Sequence, residues 1–295
     1  MMKIKELDIP DSSKKKFLSR DIEELNPPQE KAVDKGVLEG KSMVVASPTA
    51  SGKTAIAEFA FLKRILEEDK KCVYIVPLRA LAQEKYKDFK KYEELGMDVA
   101  VSVGDYDSSA SSLGDYDLII TTSEKMDSIL RHDPSWAQDI GLVVSDEIHL
   151  LDDESRGPTL EVTLTRLRQL TEAQILGLSA TISNADELAG WLDAELVASD
   201  YRPVELYEGV YDGNKVKFEN KEDLKSSKNG RGEHILSDHT LNMSKQALIF
   251  ASSRRNAESI AEKTGEKISH HLSKEEREEL DELAEEILNV PSQPT

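Results

Sequence analysis

One eight-residue segment constrains the fold more than any other part of the chain. Residues 47–54 read Ser-Pro-Thr-Ala-Ser-Gly-Lys-Thr, and they stand between an apolar run at 42–46 and a helical pattern at 53–67. A strand, a tight loop ending in Gly-Lys-Thr and a helix together form the loop that holds nucleotide phosphates with backbone N–H groups. The sequence therefore predicts an α/β domain built around a phosphate-binding loop.

The residue types in this loop suit separate tasks on a nucleoside triphosphate. Gly52 lets the backbone approach phosphate, Lys53 reaches the β and γ phosphates, and the Thr54 hydroxyl binds magnesium. The alternative is a chance Gly-Lys-Thr turn, which the preceding strand and following helix argue against. The remaining candidate nucleotide-binding residues in the loop are Ser47, Pro48, Thr49, Ala50 and Ser51.

Apolar runs alternate with helical patterns as far as residue 200. This alternation predicts a parallel sheet with helices on both faces and a ligand site at the carboxyl ends of the strands. Strands are expected near 42–46, 72–76, 98–103, 117–121, 141–145 and 175–178. Helices are expected near 53–67, 79–93, 122–131, 156–171 and 185–192.

A second motif, Asp-Glu-Ile-His, directly follows the predicted strand at 141–145. We expect Asp146 to hold magnesium and Glu147 to orient or deprotonate the attacking water, so that Asp146, Glu147 and Lys53 form the catalytic set. A lone histidine is usually structural. His149, however, can pair with hydroxyls of the segment Ser179-Ala180-Thr181, which follows another strand. We interpret His149, Ser179 and Thr181 as residues that couple hydrolysis to domain movement.

Several other positions allow two readings from the sequence alone. Gln29 can read the adenine edge through its amide or can cap a helix. Pro77 and Arg79 follow one strand and open a helix. Thr122, Ser123 and Lys125 do so after another, where they can contact a nucleic-acid backbone or simply cap the helix.

The pattern changes after residue 200, which predicts domains at 1–200 and 201–295. In the second domain the sequence predicts a hairpin around Asp212-Gly213-Asn214, a loop at 219–232, a strand at 247–250 and a helix at 254–264. The acidic stretch at 274–288 predicts an amphipathic helix that packs on its own domain.

Bulk composition excludes some classes of protein and limits others. No apolar run approaches the roughly 20 residues of a membrane span, and the single Cys72 suits a buried strand in a reducing cytoplasm. The net charge of −19 predicts weak non-specific binding to nucleic acid. No cysteine or carboxylate spacing completes a metal site with His234 and His239, or with His270 and His271.

Taken together, these motifs resemble the Ski-type DExH helicases of superfamily two. The likeness is to the archaeal DNA helicase group related to the HELQ and polymerase theta helicase domains. The residues that carry it are 25–33, 46–54, 77–85, 104–109, 122–131, 146–151, 155–161, 177–181, 202–204 and 249–254.

That resemblance implies two RecA-like domains that clamp ATP and Mg²⁺. It also implies ATP-driven 3′ to 5′ movement on single-stranded or forked DNA in replication-coupled repair. It adds Arg254 to the nucleic-acid-binding candidates, and we expect a monomer. The chain departs from the pattern by ending inside the second RecA-like domain, before that domain's arginine motif. We therefore expect poor hydrolysis and no unwinding by these 295 residues alone.

Two alternatives remain open at this stage. A Ski-type RNA helicase would carry nearly the same ATP motifs, and DNA is favoured by the resemblance only. A truncated, non-catalytic module that binds ATP or DNA would fit the incomplete second domain.

Overall fold

The computed structural model describes residues 1–104, 111–213, 215–225 and 231–289. The chain divides into two compact units, 1–204 and 205–295, four residues beyond the boundary expected from the sequence. Parts of several predicted features lie outside the described residues: 105–109 of the helicase-like segment, Asn214 of the hairpin, 226–230 of the loop and 290–295.

The first unit is built on a parallel sheet of seven strands: β1 (Met43–Ala46), β2 (Lys71–Val76), β3 (Val99–Ser102), β4 (Leu118–Thr122), β5 (Ile140–Ser145), β6 (Gln174–Ser179) and β7 (Glu195–Ala198). Every pair of neighbours is parallel, which confirms the predicted α/β fold. The edge strand β7 was not predicted, because its residues alternate too weakly in polarity and only Val197 is buried. Across the sheet the strands lie in the order β3-β4-β2-β5-β6-β1-β7.

Among the described residues, seven α-helices cover the two faces of this sheet. Alternate strand residues face opposite ways, so Val45 and Tyr74 belong to one buried cluster while Val44 and Val73 belong to the other. Burial on both faces is typical of parallel sheets. One face carries α1 (Asp11–Leu18), α2 (Pro27–Asp34), α3 (Lys53–Leu66) and α4 (Arg79–Phe89), and the other carries α5 (Ser123–Arg131), α6 (Gly157–Leu170) and α7 (Ala185–Leu192).

The described residues of the second unit form a small antiparallel sheet and three α-helices. Strand β8 (Gly209–Tyr211) pairs with β9 (Lys215–Phe218), which confirms the predicted hairpin, and β9 also pairs with β10 (Leu224–Lys225). The helices are α8 (Gly232–Asn242), α9 (Arg254–Ile268) and α10 (Lys274–Asn289). The last two confirm the helices predicted at 254–264 and 274–288.

Two predictions for the second unit were wrong. Residues 247–250 form no strand and pair with no strand of the described chain. An apolar run becomes a strand only beside a partner that accepts its backbone hydrogen bonds, and Leu248 and Phe250 are 81% and 87% exposed. Helix α10 does not bury its apolar side either, because Leu280, Leu283 and Ile287 are 49–68% exposed.

Within the described ranges, no helix combines the length and apolar character needed to cross a membrane.

Candidate functional site

The predicted phosphate-binding loop joins β1 to α3 with a backbone shaped by glycine. Gly52 has φ of +87°, in the left-handed region, and a Cβ there would lie 2.3 Å from the side-chain nitrogen of Gln29. Both constraints favour glycine. The hydroxyls of Ser47 and Ser51 lie 2.7 Å apart and are fully buried, so they close the base of the loop. Ser47 thus fills the position usually held by Gly or Ala without disturbing the turn.

Lys53 lies between this loop and the acidic motif. Its Nζ donates hydrogen bonds to the carbonyl oxygens of Ser47 at 2.7 Å and Pro48 at 3.0 Å. Partial burial lowers the pKa of the Lys53 ammonium, while the carboxylates of Glu147 and Asp146 act in the opposite direction. The structure therefore brings together the three residues predicted to be catalytic.

The acidic motif begins where β5 ends and turns sharply away from the sheet. The Asp146 N–H donates to the Ile75 carbonyl at 2.8 Å, which fixes Asp146 beside β2. Glu147 follows with φ of +52°, a left-handed conformation that is uncommon for a residue other than glycine. Such backbone strain persists where surrounding contacts hold it and is often found at functional sites.

Tyr74 contacts Asp146, one of the two residues predicted to bind magnesium, and the sequence analysis missed it. Its hydroxyl donates to Asp146 Oδ2 at 2.9 Å, and the Thr54 hydroxyl lies close enough to act on its pKa. Burial, followed by the nearby Asp146 charge, raises the pKa of Tyr74 well above its ordinary value, so the phenol stays a donor. The available signal was a tyrosine inside a buried strand, whose hydroxyl requires a partner.

The oxygen atoms around Tyr74 suit a hard cation. Thr54 and Asp146 supply a hydroxyl and a carboxylate, the ligand types that Mg²⁺ prefers. Lys85 was also missed, and its Nζ donates to Thr54 Oγ1 at 3.3 Å. The donor set therefore fits magnesium, with two cationic side chains, Lys53 and Lys85, close to the same place.

The predicted coupling residues meet only in part. His149 Nδ1 lies 3.4 Å from Ser179 Oγ and 3.4 Å from Glu147 Oε2, so it contacts both β6 and the predicted base. Gly177 on β6 leaves room for Ile148, the residue before His149, because a Cβ at Gly177 would lie 2.8 Å from Ile148 Cδ1. Thr181 is exposed beyond the end of β6.

Gln29 holds the phosphate loop in place. Its Oε1 accepts from the Asn26 N–H at 2.8 Å as part of a capping box for α2, and its Nε2 donates to the Gly52 carbonyl at 3.0 Å. The capping reading therefore describes this structure, and the adenine contact stays a prediction. A cavity of about 650 Å³ beside Asn26, Gln29 and Thr54 offers space for a base.

A larger cavity, of about 870 Å³, lies near the amino-terminal ends of the strands, beside Lys70, Ile140 and Gln174. The second cavity is larger, but the chemistry of the neighbouring residues favours the first as the nucleotide site. The loop, the acidic motif and Ser179 all stand at the carboxyl ends of strands, where parallel α/β sheets bind ligands.

The nucleic-acid candidates of the first unit share that edge of the sheet. Arg79 is exposed where β2 leads into α4. Lys125 Nζ donates to the Gly104 carbonyl at 2.6 Å, beside the start of α5. Because β2 and β4 are neighbours, these two junctions lie side by side.

The remaining nucleic-acid candidates differ in exposure. Thr122 and Ser123 are largely buried, and the Thr122 hydroxyl accepts from the Lys125 N–H at 3.4 Å, which is a capping contact. Pro77 is partly exposed, and Arg254 opens α9 as an exposed residue of the second unit. Their contacts with nucleic acid stay predictions.

Comparison with known proteins identifies the family of the chain. The family model described as DEAD/DEAH box helicase matches residues 26–188, more than half of the chain. The chain belongs to the DEAD/DEAH box helicase family. The matched segment includes Gln29, the phosphate loop, the acidic motif and Ser179, so the residues assembled at the sheet edge are those of a helicase domain.

The chain is similar to one part of two longer proteins. The ATP-dependent DNA helicases Hel308 of Thermococcus kodakarensis and Pyrococcus horikoshii are each 48% identical over 291 residues, or 99% of this chain. The chain spans only 25% and 40% of their respective lengths. The helicase-family resemblance found from the motifs is confirmed by these matches.

Solved structures support the fold independently. A crystal structure of DUF1998 helicase MrfA matches with a TM-score of 0.70 at 24% identity, over 89% of this chain and 41% of that one. The same helicase bound to DNA and AMPPNP matches with a TM-score of 0.69 at 22% identity, over 93% and 42%. At these identities the likeness concerns the fold alone.

Proposed function

We propose that the chain binds ATP with Mg²⁺ and hydrolyses it as the motor of a DNA helicase. The observation that carries this proposal is the convergence of Lys53, Thr54, Asp146 and Glu147 at one edge of the sheet, with Tyr74 hydrogen-bonded to Asp146. Each of these side chains has a charge or hydrogen-bonding group that suits triphosphate chemistry.

The residues divide the work of hydrolysis between binding and proton transfer. Lys53 and the backbone N–H groups at the start of α3 hold the phosphates. Magnesium, held by Thr54 and Asp146, would neutralise charge on the phosphate oxygens. Glu147 orients the attacking water and accepts its proton, while Tyr74 keeps the Asp146 carboxylate in one orientation.

We further propose that this motor moves 3′ to 5′ along single-stranded or forked DNA. Support comes from the two Hel308 relatives, which are ATP-dependent DNA helicases, and from the exposed Arg79 beside the β4–α5 junction. A monomeric, cytoplasmic protein acting in replication-coupled repair is part of the same proposal. If the chain bound matched single strands of DNA and RNA with equal affinity, the proposed preference for DNA would be wrong.

Replacing Lys53 tests the nucleotide site directly. A charge-assisted hydrogen bond contributes about 1.5–3 kcal/mol, so we expect Lys53→Ala to weaken the binding of ATP with Mg²⁺ by about 10- to 100-fold. Calorimetric titration of the 295-residue chain measures this change. Lys87→Ala is the matched control, because Lys87 is an exposed lysine on α4. Unchanged ATP affinity in the Lys53 variant would place the nucleotide elsewhere.

The contact between Ser179 and His149 supports a coupling role for these two residues, and we include Thr181 in the same proposal. We expect Ser179→Ala combined with Thr181→Ala to leave basal ATP turnover within about threefold of the parent, because neither hydroxyl lies among the hydrolytic groups. Stimulation by single-stranded DNA should fall towards none. In a longer chain with the same residues, unwinding should stop while turnover partly remains.

Steady-state turnover with and without single-stranded DNA measures this separation. Ser155→Ala is a suitable control, since Ser155 is an exposed serine whose hydroxyl contacts Asp153 rather than the acidic motif. Parallel loss of basal and DNA-stimulated turnover would assign Ser179 and Thr181 to folding or to the nucleotide site instead of coupling.

A further inference from the structure

Two histidines and one aspartate meet at a single point in the second unit. Asp238 lies on α8, whereas His270 and His271 lie in the short 3₁₀ helix Ser269–His271 that follows α9. The Nε2 atoms of His271 and His270 are 2.8 Å and 3.3 Å from the same oxygen, Asp238 Oδ1. One ligand atom from each residue lies within 4.8 Å of the other two. The sequence did not reveal this arrangement, because Asp238 lies on an earlier helix than the two histidines.

These separations are close to those between the ligands of a small divalent ion. Zinc binds nitrogen and oxygen at about 2.0–2.1 Å in tetrahedral sites, which places neighbouring ligand atoms about 3.3 Å apart. The His270 distance of 3.3 Å to Asp238 Oδ1 equals this value, and the His271 distance of 2.8 Å is shorter, at hydrogen-bond length. Small side-chain movements would therefore suffice to place an ion between the three groups.

The hydrogen bond on the far side of His270 indicates which nitrogen can bind the ion. Its Nδ1 lies 2.9 Å from the Lys267 carbonyl oxygen, and because a carbonyl only accepts, Nδ1 carries the hydrogen. A neutral His270 ring then has its lone pair on Nε2, facing the Asp238 carboxylate. A proton or a metal ion between them would make this contact favourable. Donation from the second nitrogen to a backbone carbonyl is also how metal-binding histidines are usually oriented.

The two imidazole rings lie side by side at this point. Their centroids are 4.2 Å apart, and both Nε2 atoms approach the same carboxylate oxygen. A single divalent ion bound there would contact both Nε2 atoms. The His270 side chain is 56% exposed, while those of Asp238 and His271 are 19% exposed, so water can complete the coordination from one side.

We propose that Asp238, His270 and His271 bind one divalent transition-metal ion of the zinc class. Two imidazoles and a carboxylate favour such ions over Mg²⁺, which prefers oxygen ligands. The bound ion would link α8 to the end of α9, two segments that are separated in sequence. This site is independent of the proposed ATP chemistry, because its ligands all belong to the second unit.

Titration with Co²⁺ tests the proposal, since Co²⁺ takes the place of zinc and gives visible absorption. The untagged 295-residue chain is titrated in excess Mg²⁺, which occupies oxygen-rich sites. We expect one Co²⁺ per chain, displaced by Zn²⁺, and a thermal unfolding midpoint that rises with Zn²⁺ concentration. Absence of Co²⁺ binding under these conditions would overturn the proposal.

Single substitutions then assign the ligands. We expect His270→Ala, which removes the most exposed member, and Asp238→Asn each to weaken Co²⁺ binding by more than about 100-fold, beyond the usual effect of losing an outer partner. His132→Ala, at an exposed histidine of the first unit, and His149→Ala should not change it. Circular dichroism checks that each variant is folded. Binding that survives His270→Ala or Asp238→Asn in a folded chain would contradict the assignment.

Discussion

Replacing Glu147 with glutamine is expected to abolish ATP hydrolysis while leaving nucleotide binding intact. The substitution preserves the size of the side chain and its place beside Lys53, but it removes the group that accepts a proton from water. General base catalysis typically contributes 10²- to 10⁴-fold, so single-turnover hydrolysis of labelled ATP should slow by about that factor. Calorimetry should show ATP affinity close to that of the parent.

A neighbouring glutamate provides the control for charge alone. Glu154 is exposed in the segment that follows the acidic motif, and Glu154→Gln removes the same charge without touching the nucleotide site. We expect its turnover to match the parent. If Glu147→Gln hydrolyses ATP at the parental rate, the base is a different residue, and the left-handed backbone at Glu147 needs another explanation.

Limited proteolysis is expected to remove the second unit and leave the first. Both buried apolar clusters belong to 1–204, whereas Val216 is the one buried apolar side chain recorded in the described part of 205–295. A region with so little burial opens at low free-energy cost. A glutamate-specific protease should cut after the exposed Glu205 or Glu208, and bonds of the second unit should be lost more than about tenfold faster than those of the first.

Intact-mass measurement of the surviving fragment gives the boundary. Exposed glutamates of the first unit, such as Glu154 and Glu172, should stay uncut in buffer and become cleavable in denaturant. That comparison separates protection by folding from a lack of suitable bonds. A resistant fragment that retains α9 and α10 would show that the second unit is stable, against the small amount of burial described.

Features that depend on a short stretch of sequence could be predicted. The phosphate loop and acidic motif each adjoin an apolar run, so local pattern placed Lys53 and Glu147 at the same sheet edge, and the structure brings them together. Tyr74 was missed because its role depends on pairing with β5, where its register partner is Val144, two residues before Asp146. Register between distant strands leaves no local mark on the sequence.

The second unit shows the opposite weakness of local pattern. Residues 247–250 have the composition of a strand, yet strands depend on neighbours that composition does not reveal. The cluster of Asp238 with His270 and His271 was equally invisible, because its members come together only when α8 packs near the end of α9. Helices in this unit were predicted more reliably, since their hydrogen bonds are internal.

The contact between Gln29 and the Gly52 carbonyl makes two separated stretches of chain depend on each other. Gln29 also closes the cap of α2, so loss of that helix would release the backbone of the phosphate loop. A shortened chain beginning at Met43 would retain all eight residues of the loop motif but not the amide that supports their turn. The smallest autonomous nucleotide-binding fragment of this fold therefore has to start upstream of Asn26, well before the motif by which such a fragment would be recognised.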